Sequence, residues 1–377
     1  LFEWDQLPDA VQYELQISTD EAFSSIVSSE VTEALIYIET NSLNWNNSYY
    51  WRVRPIYTSS SGEWLDAYFF STTDQITSAT ITLHEEDLYQ SGVTFLGSLD
   101  GNFSVAFDQY GNEIWNSMGS NLIMYNTNLK GELYGAHFDP GLQHSYPAVE
   151  FDLDINYVWE ESSLDFSHHD MLRLPDGNYL SIIETTRDLP VPGAENNYPW
   201  YLQCMSNFGP TYCNNFEWVG DKVVIWDKDT KEILWYWNVF DHYDPQDYDG
   251  VHYNQGIYGG SWDNALQLFK YDWTHVNAIT YSIEDNAIYL SCRHLSRITK
   301  IYFNFENYDD DSNGDIIWNI GLEMPSGDVD CGHDLDFSWQ HSISVLENGN
   351  IVTLDNGNLS NDFDPSLGNT SITRAIE

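Results

Sequence analysis

The chain has 377 residues, 42% hydrophobic and 16% aromatic with 15 Trp and 26 Tyr, which excludes a disordered chain and suffices for one large all-β domain or two domains. Against 13 basic residues stand 59 acidic ones, a formal net charge of -46, so attraction to nucleic acid or anionic lipid is excluded and a secreted or salt-exposed protein is favoured. No run of about 18 apolar residues occurs, so membrane insertion is not expected.

The sequence opens on Leu1-Phe2-Glu3-Trp4, without Met or a charged-then-apolar leader, so any export signal is expected to have been removed or to lie outside it. Residues 1–74 read as short alternating strands, "YELQIST", "ALIYIET", "YYWRVRPIY" and "DAYFFST", separated by Asp, Asn, Ser and Gly turns. Through "FEW", "AVQYELQISTDEAF" and "NSYYWRVRP" this segment resembles a fibronectin type III module, which implies a small β-sandwich acting as spacer or docking domain. Sequons stand at Asn46, Asn102, Asn358 and Asn369.

From residue 75 to 377 the pattern changes. A polar turn leading into Ile and then Trp recurs in "DQYGNEIWNSMG", "DKDTKEILWYWNV" and "DDDSNGDIIWNIG", and units of ~40 to 50 residues built this way predict a β-propeller, whose blades cannot bury their faces alone. Cys204 and Cys213 flank the Gly-Pro loop "MSNFGPTY", which a disulfide could close; a pair of buried thiols is the other reading. No Cys-x-x-Cys spacing points to zinc. The stretch "WNVFDHYDPQDYDGVHYNQG" reads as a long loop over one face, where substrate rings could stack. Asp309, Asp311, Asn313 and Asp315 have the spacing of a calcium loop without its closing Glu, and a solvated turn is the preferred reading.

A second repeat carries the chemistry. In "HHDMLRLPDGNYLSII" and "QHSISVLENGNIVTLD", His169 and His341 each stand eight residues before the turn glycine, and "THVNAITYSIEDNAIYLSCRH" starts from His275. Equivalent positions of different blades are related by rotation about one axis, so the three histidines are expected to converge on the central channel. Hairpin arithmetic puts Glu184 across from His169, Asn356 near His341 and Arg293 across from His275, and Asn277 on the face of His275. A regular strand would turn Asp170 to the opposite face from His169.

Arg293 argues against a cation there and for a tetrahedral oxyanion, which a guanidinium holds bidentately while a neutral imidazole attacks sulfur or phosphorus. A channel that only binds leaves the same residues in place, so catalysis and binding both stay open at this level.

"YDWTHVNAI" and "LSCRHLSRITKI", with "HHDMLRLPDGN" before and "QHSISVLENGNIVTLDNGN" after, are similar to the bacterial aryl-sulfate sulfotransferases from about residue 80 to the end. The resemblance implies an exported six-bladed propeller, periplasmic, cell-surface or extracellular, that moves a sulfuryl group from a phenolic sulfate ester to a phenolic acceptor without an adenylyl-sulfate donor or other cofactor. By motif, His341 matches the transiently sulfated histidine, His275, Asn277 and Arg293 hold the sulfuryl oxygens, and His169 helps proton transfer; His168 and Asn356 are expected to touch substrate. Two departures stand out: Ser342 follows His341 where many relatives have Asp, and the sequence ends at "SITRAIE", from which a fragment is expected. The readings from other classes are a non-catalytic propeller binding sulfated or phenolic ligands and a structural surface protein; self-association is left open.

Overall fold

The computed structural model describes residues 1–39, 41–89, 92–98, 101–117, 119–128, 131–138, 147–162, 167–192, 199–248, 265–266, 268–367 and 371–377. The Asn369 sequon and positions 249–256 of the aromatic loop lie outside them. The chain is all-β, built of antiparallel sheets with a few short helices. It divides into two compact units, Leu1–Ser120 and Asn121–Glu377. No helix among the described residues is long and apolar enough to cross a membrane.

The first unit opens with a five-stranded sheet in which Ile26–Thr32, Gln12–Ser18, Ser48–Tyr57 and Ser60–Ser61 follow one another and Tyr68–Ser71 also pairs with Ser48–Tyr57. Alternation along Gln12–Ser18 turns Tyr13, Leu15 and Ile17 inward, where Leu15 and Ile17 are fully buried. Each such side chain contributes about 1.5–3 kcal/mol. Phe2, on a two-stranded ribbon of Phe2–Glu3 with Ile36–Tyr37, packs on that face, its ring edge-on to Trp51 and Phe70 at 5.3 Å. The strand Ile26–Thr32 escapes the reading of alternating strands because it lies at a sheet edge and buries only Ser28. A three-stranded sheet, Thr94–Ser98, Phe103–Phe107 and Glu113–Asn116, completes the unit.

The second unit is a succession of meanders. Leu122–Thr127 to Tyr157–Glu160 forms a four-stranded sheet, as does Val276–Ser282 to Ile316–Gly321. Between them lies a sheet of Ser167–Arg173, Tyr179–Leu189, Phe216–Trp226 and Ile233–Asn238, and after them the three-stranded His341–Val345, Ile351–Asp355 and Arg374–Ile376. The first strand of each meander lies against the first strand of the next, the arrangement of propeller blades around an axis. The turn-Ile-Trp units of the sequence form the last strand of their sheets, as in Ile233–Asn238 and Ile316–Gly321.

Between the second and third meanders aliphatic and aromatic side chains share one buried core. Leu180, Ile182, Val223 and Ile225 face Ile279, Ile288, Leu290 and Ile301 across a single cluster, seven of them fully buried and Val223 1% exposed. The indole of Trp237 donates to the carbonyl of Gly314 at 3.0 Å and ties the outer strand of one sheet to the turn of its neighbour. Buried carboxylates clasp the inner strands together. Asp170 accepts from the Ile279 N–H at 3.0 Å and from the Asn126 amide at 3.1 Å, and Asp221 accepts from the Val276 N–H at 2.8 Å. A carboxylate satisfied by neighbouring backbone donors replaces hydrogen bonds that unlinked sheets would leave unmade.

Candidate active site

Three inner strands break their regular pairing at the same place. The ladder slips between Ser167 and Met171, between Val276 and Ala278, and between His341 and Ser344. Each slip carries a left-handed residue at or beside the histidine: His169 at φ 63°, His275 at φ 48° and Ser342 at φ 62°. A bulge adds a residue to one strand and re-aims its side chain, and a non-glycine residue held left-handed costs about 1 kcal/mol or more, so the fold sustains this distortion three times over. The bulges also change the expected cross-strand partners. Arg293 lies opposite His275, its N–H on the His275 carbonyl at 3.2 Å. Ser167 pairs with Ile183 and Met171 with Ser181, so His169 falls inside its bulge and Glu184 lies beyond it, and His341 pairs with Leu354 rather than a residue nearer Asn356.

The histidines meet. The rings of His169 and His275 are 4.9 Å apart between centroids, and those of His168 and His169 are 5.0 Å apart. His341 is close enough for its charge to act on His169, and Arg293 and His275 act on it in turn, with the Asn356 side chain opposing them. Asn277 is buried, its amide donating to the carbonyl of Gln340 at 2.8 Å, directly before His341. Gln340 is itself locked by hydrogen bonds from its amide to Ser291, Cys292 and Arg297.

The hydrogen bonds assign tautomers. His168 Nε2 lies 3.1 Å from Asp221 and its Nδ1 lies 2.8 Å from His169 Nδ1. With the His168 proton on Nε2 toward the carboxylate, His168 Nδ1 accepts from His169, and His169 Nε2 is left with a lone pair. Burial, then the neighbouring imidazoles His168, His275 and His341, holds His169 well below the ordinary histidine range, so it is neutral with a lone pair on Nε2. His341 donates from Nδ1 to the Trp339 carbonyl at 3.1 Å, which leaves its Nε2 lone pair available; burial and the Arg293 charge hold it below the ordinary value.

His275 is the opposite case. Burial pulls it down, but the Asp272 carboxylate 2.6 Å from its Nδ1 outweighs burial and raises its pKa. Asp272 is delivered by a short parallel strand, Lys270–Asp272, that pairs with Glu217 to Val219. Burial likewise raises Asp272, and His275 and His294 overcome it, leaving the carboxylate far below its usual range. The site thus holds one imidazole with a raised pKa and two with lowered ones.

Asp221, Asp272, His294 and Trp339 join the site without having been singled out in the sequence. His294 is adjacent to Arg293 and Asp272 stands three residues before His275, so both lay inside recognised motifs. Arg293 Nη1 is 2.6 Å from His294 Nε2, and the guanidinium carbon sits 4.1 Å over the Trp339 ring. Asp272, His275 and His294 bring one atom each within 4.8 Å of one another, a spacing a metal ion could use. Both nitrogens of His294 are engaged, by Arg293 and by the Asp272 carbonyl, and a guanidinium at that point repels a cation. Away from the site, Asp247 of the aromatic loop is fully buried against Arg297 as a core ion pair. The Asp309 to Asp315 stretch forms the turn before Ile316–Gly321, with the Asn313 side-chain oxygen accepting from the Asn304 N–H at 2.7 Å.

Residues 205–377 match the family model described as Arylsulfotransferase (ASST), a span that holds His275, Asn277, Arg293, His341 and Asn356. No curated protein matches the chain. Among solved structures, the hydrazine synthase of Kuenenia stuttgartiensis is similar at 10% identity and TM-score 0.35, over 87% of this chain and 77% of that one. A Bacteroides uniformis structure assigned as a 6-phosphogluconolactonase is similar at 10% identity and TM-score 0.27, over 80% of this chain and 75% of that one. Neither likeness is close enough to carry the fold or a function.

Proposed function

We propose that the protein, whose residues 205–377 match the arylsulfotransferase family model, moves a sulfuryl group from a phenolic sulfate ester to a phenolic acceptor through a sulfated His341. The observation that carries this reading is the His341 ring, anchored at Nδ1 by the Trp339 carbonyl so that Nε2 keeps its lone pair, and held neutral by burial and by the charge of Arg293. An imidazole so held is a nucleophile rather than a cation.

In the donor half-reaction His341 Nε2 forms the N–S bond while the S–O bond to the aryl group breaks, and His275 gives a proton to the departing phenolate oxygen. Arg293 meets the charge on the sulfuryl oxygens, assisted by Asn277. In the acceptor half-reaction His169 Nε2 or the deprotonated His275 takes the phenol proton. The phenol oxygen attacks sulfur and His341 leaves with its electron pair. Phenols have an ordinary pKa of about 10, so without that base few acceptor molecules would be ionised at neutral pH. His168 and Asn356 complete the walls, and no nucleotide donor is required. A disulfide between Cys204 and Cys213 supports export to an oxidising compartment.

Steady-state rates with p-nitrophenyl sulfate as donor and phenol as acceptor test the scheme. The expected result is a family of parallel double-reciprocal lines, the signature of a covalent intermediate; intersecting lines would rule out transfer in two separate steps.

A further inference from the structure

Sulfuryl transfer of the kind proposed above depends on where Arg293 points, and a guanidinium on a flexible stem does not hold one orientation unaided. Its Nη1 lies 2.6 Å from His294 Nε2 and its carbon 4.1 Å over Trp339. A guanidinium only donates, so His294 Nε2 accepts. His294 Nδ1 lies 2.8 Å from the carbonyl oxygen of Asp272, which only accepts, so the imidazole proton is on Nδ1. The two contacts specify one neutral tautomer. His294 is 2% exposed, and burial, partly opposed by Asp272, pushes its pKa down to about 4, so it keeps accepting from Arg293 at neutral pH.

Asp272 therefore orients two histidines by different atoms. Its carboxylate takes His275 and its main-chain carbonyl takes His294. We propose that His294 is a positioning residue, whose Nδ1–H tautomer, set by the Asp272 carbonyl, holds the Arg293 guanidinium in place to grip a tetrahedral oxyanion such as sulfate. This deepens the sulfotransferase reading and rests on it for the identity of the anion. A histidine that merely filled space would pack against Trp339 without needing a particular tautomer.

The test is titration of inorganic sulfate into the full chain by calorimetry, with circular dichroism to confirm folding. His294→Asn keeps a donor for the Asp272 carbonyl but offers Arg293 no acceptor, whereas His294→Gln places an amide oxygen near the position of Nε2. Charge-assisted hydrogen bonds of this kind are worth enough that His294→Asn is expected to weaken sulfate binding by about tenfold or more, with most of that loss recovered in His294→Gln. In an Arg293→Ala background, His294→Asn is expected to change nothing further, because the effect passes through Arg293. Equal binding by wild type and His294→Asn, an undiminished loss in the Arg293→Ala background, or no sulfate binding by folded wild type would overturn the proposal. Turnover of p-nitrophenyl sulfate is followed on the same samples. Sulfate binding with the expected pattern but without turnover would contradict the sulfotransferase reading and leave the role of His294 standing.

Discussion

At the scale of single residues, the site is a set of imidazoles given different protonation states by different partners. Asp272 holds His275 protonated against burial, whereas at His169 burial and the imidazoles of His168, His275 and His341 outweigh Asp272 and keep the ring neutral. The sign of the pH dependence follows. A raised His275 pKa means that its stabilisation of the fold is present below the ordinary imidazole value and lost as pH rises through the raised one. Catalysis that needs the His275 proton falls over the same window. Asp272→Asn removes the carboxylate and leaves burial and the Arg293 charge to pull His275 down, so the alkaline limb of kcat is expected to move to lower pH, with a loss at neutral pH of about 10²-fold from weaker acid catalysis. A pH-rate profile checks both; an unmoved alkaline limb would mean that another group supplies the proton.

At the scale of elements, the sequence was readable where the repeat is local. The eight-residue interval from histidine to turn glycine places His169 and His341 at equivalent points of their hairpins, and the length of the third hairpin sets Arg293 opposite His275. The bulges were not readable, since an extra residue leaves no mark in an apolar pattern, and they displace the partners expected for His169 and His341. Asp221 and Asp272 were missed as well. They arrive from other strands, and only three-dimensional closure brings Asp221 to His168 across 53 positions of sequence. The Gly-Pro loop was legible to the level of its chemistry. Cys204, on the helix Pro199–Phe208, is bonded to Cys213 at the end of Pro210–Cys213, and both are fully buried. Closing so short a loop limits the unfolded chain by roughly 2–3 kcal/mol. Cys204→Ser with Cys213→Ser is expected to lower stability to denaturant by about that much, and reductant is expected to affect only the parent chain. Equal midpoints for the two chains would show that the bond is stabilised by its surroundings and adds nothing to them.

At the scale of the whole molecule, the charge of -46 is the dominant feature. Like charges spread over a surface repel, and the compact state bears most of that cost. Raising salt from about 0.1 M to about 1 M shortens the screening length from about 10 Å to about 3 Å, so the thermal midpoint is expected to rise with NaCl. A midpoint that fell with salt would place the stabilising electrostatics in ion pairs instead. The few cations are placed with purpose: Arg297 neutralises the buried Asp247, and Arg293 is set among the histidines. For the proposed sulfate-ester donor, an anion, a local positive centre would offset the field of the rest of the molecule.

The covalent intermediate is the claim on which the mechanism stands. Intact-mass measurement of the folded protein, mixed with p-nitrophenyl sulfate in the absence of acceptor, reads it directly. The account predicts release of nitrophenol together with the mass of one added SO3, mapped to His341 and absent from His341→Asn. Nitrophenol release by wild type without any added mass, or the same adduct on His341→Asn, would contradict it.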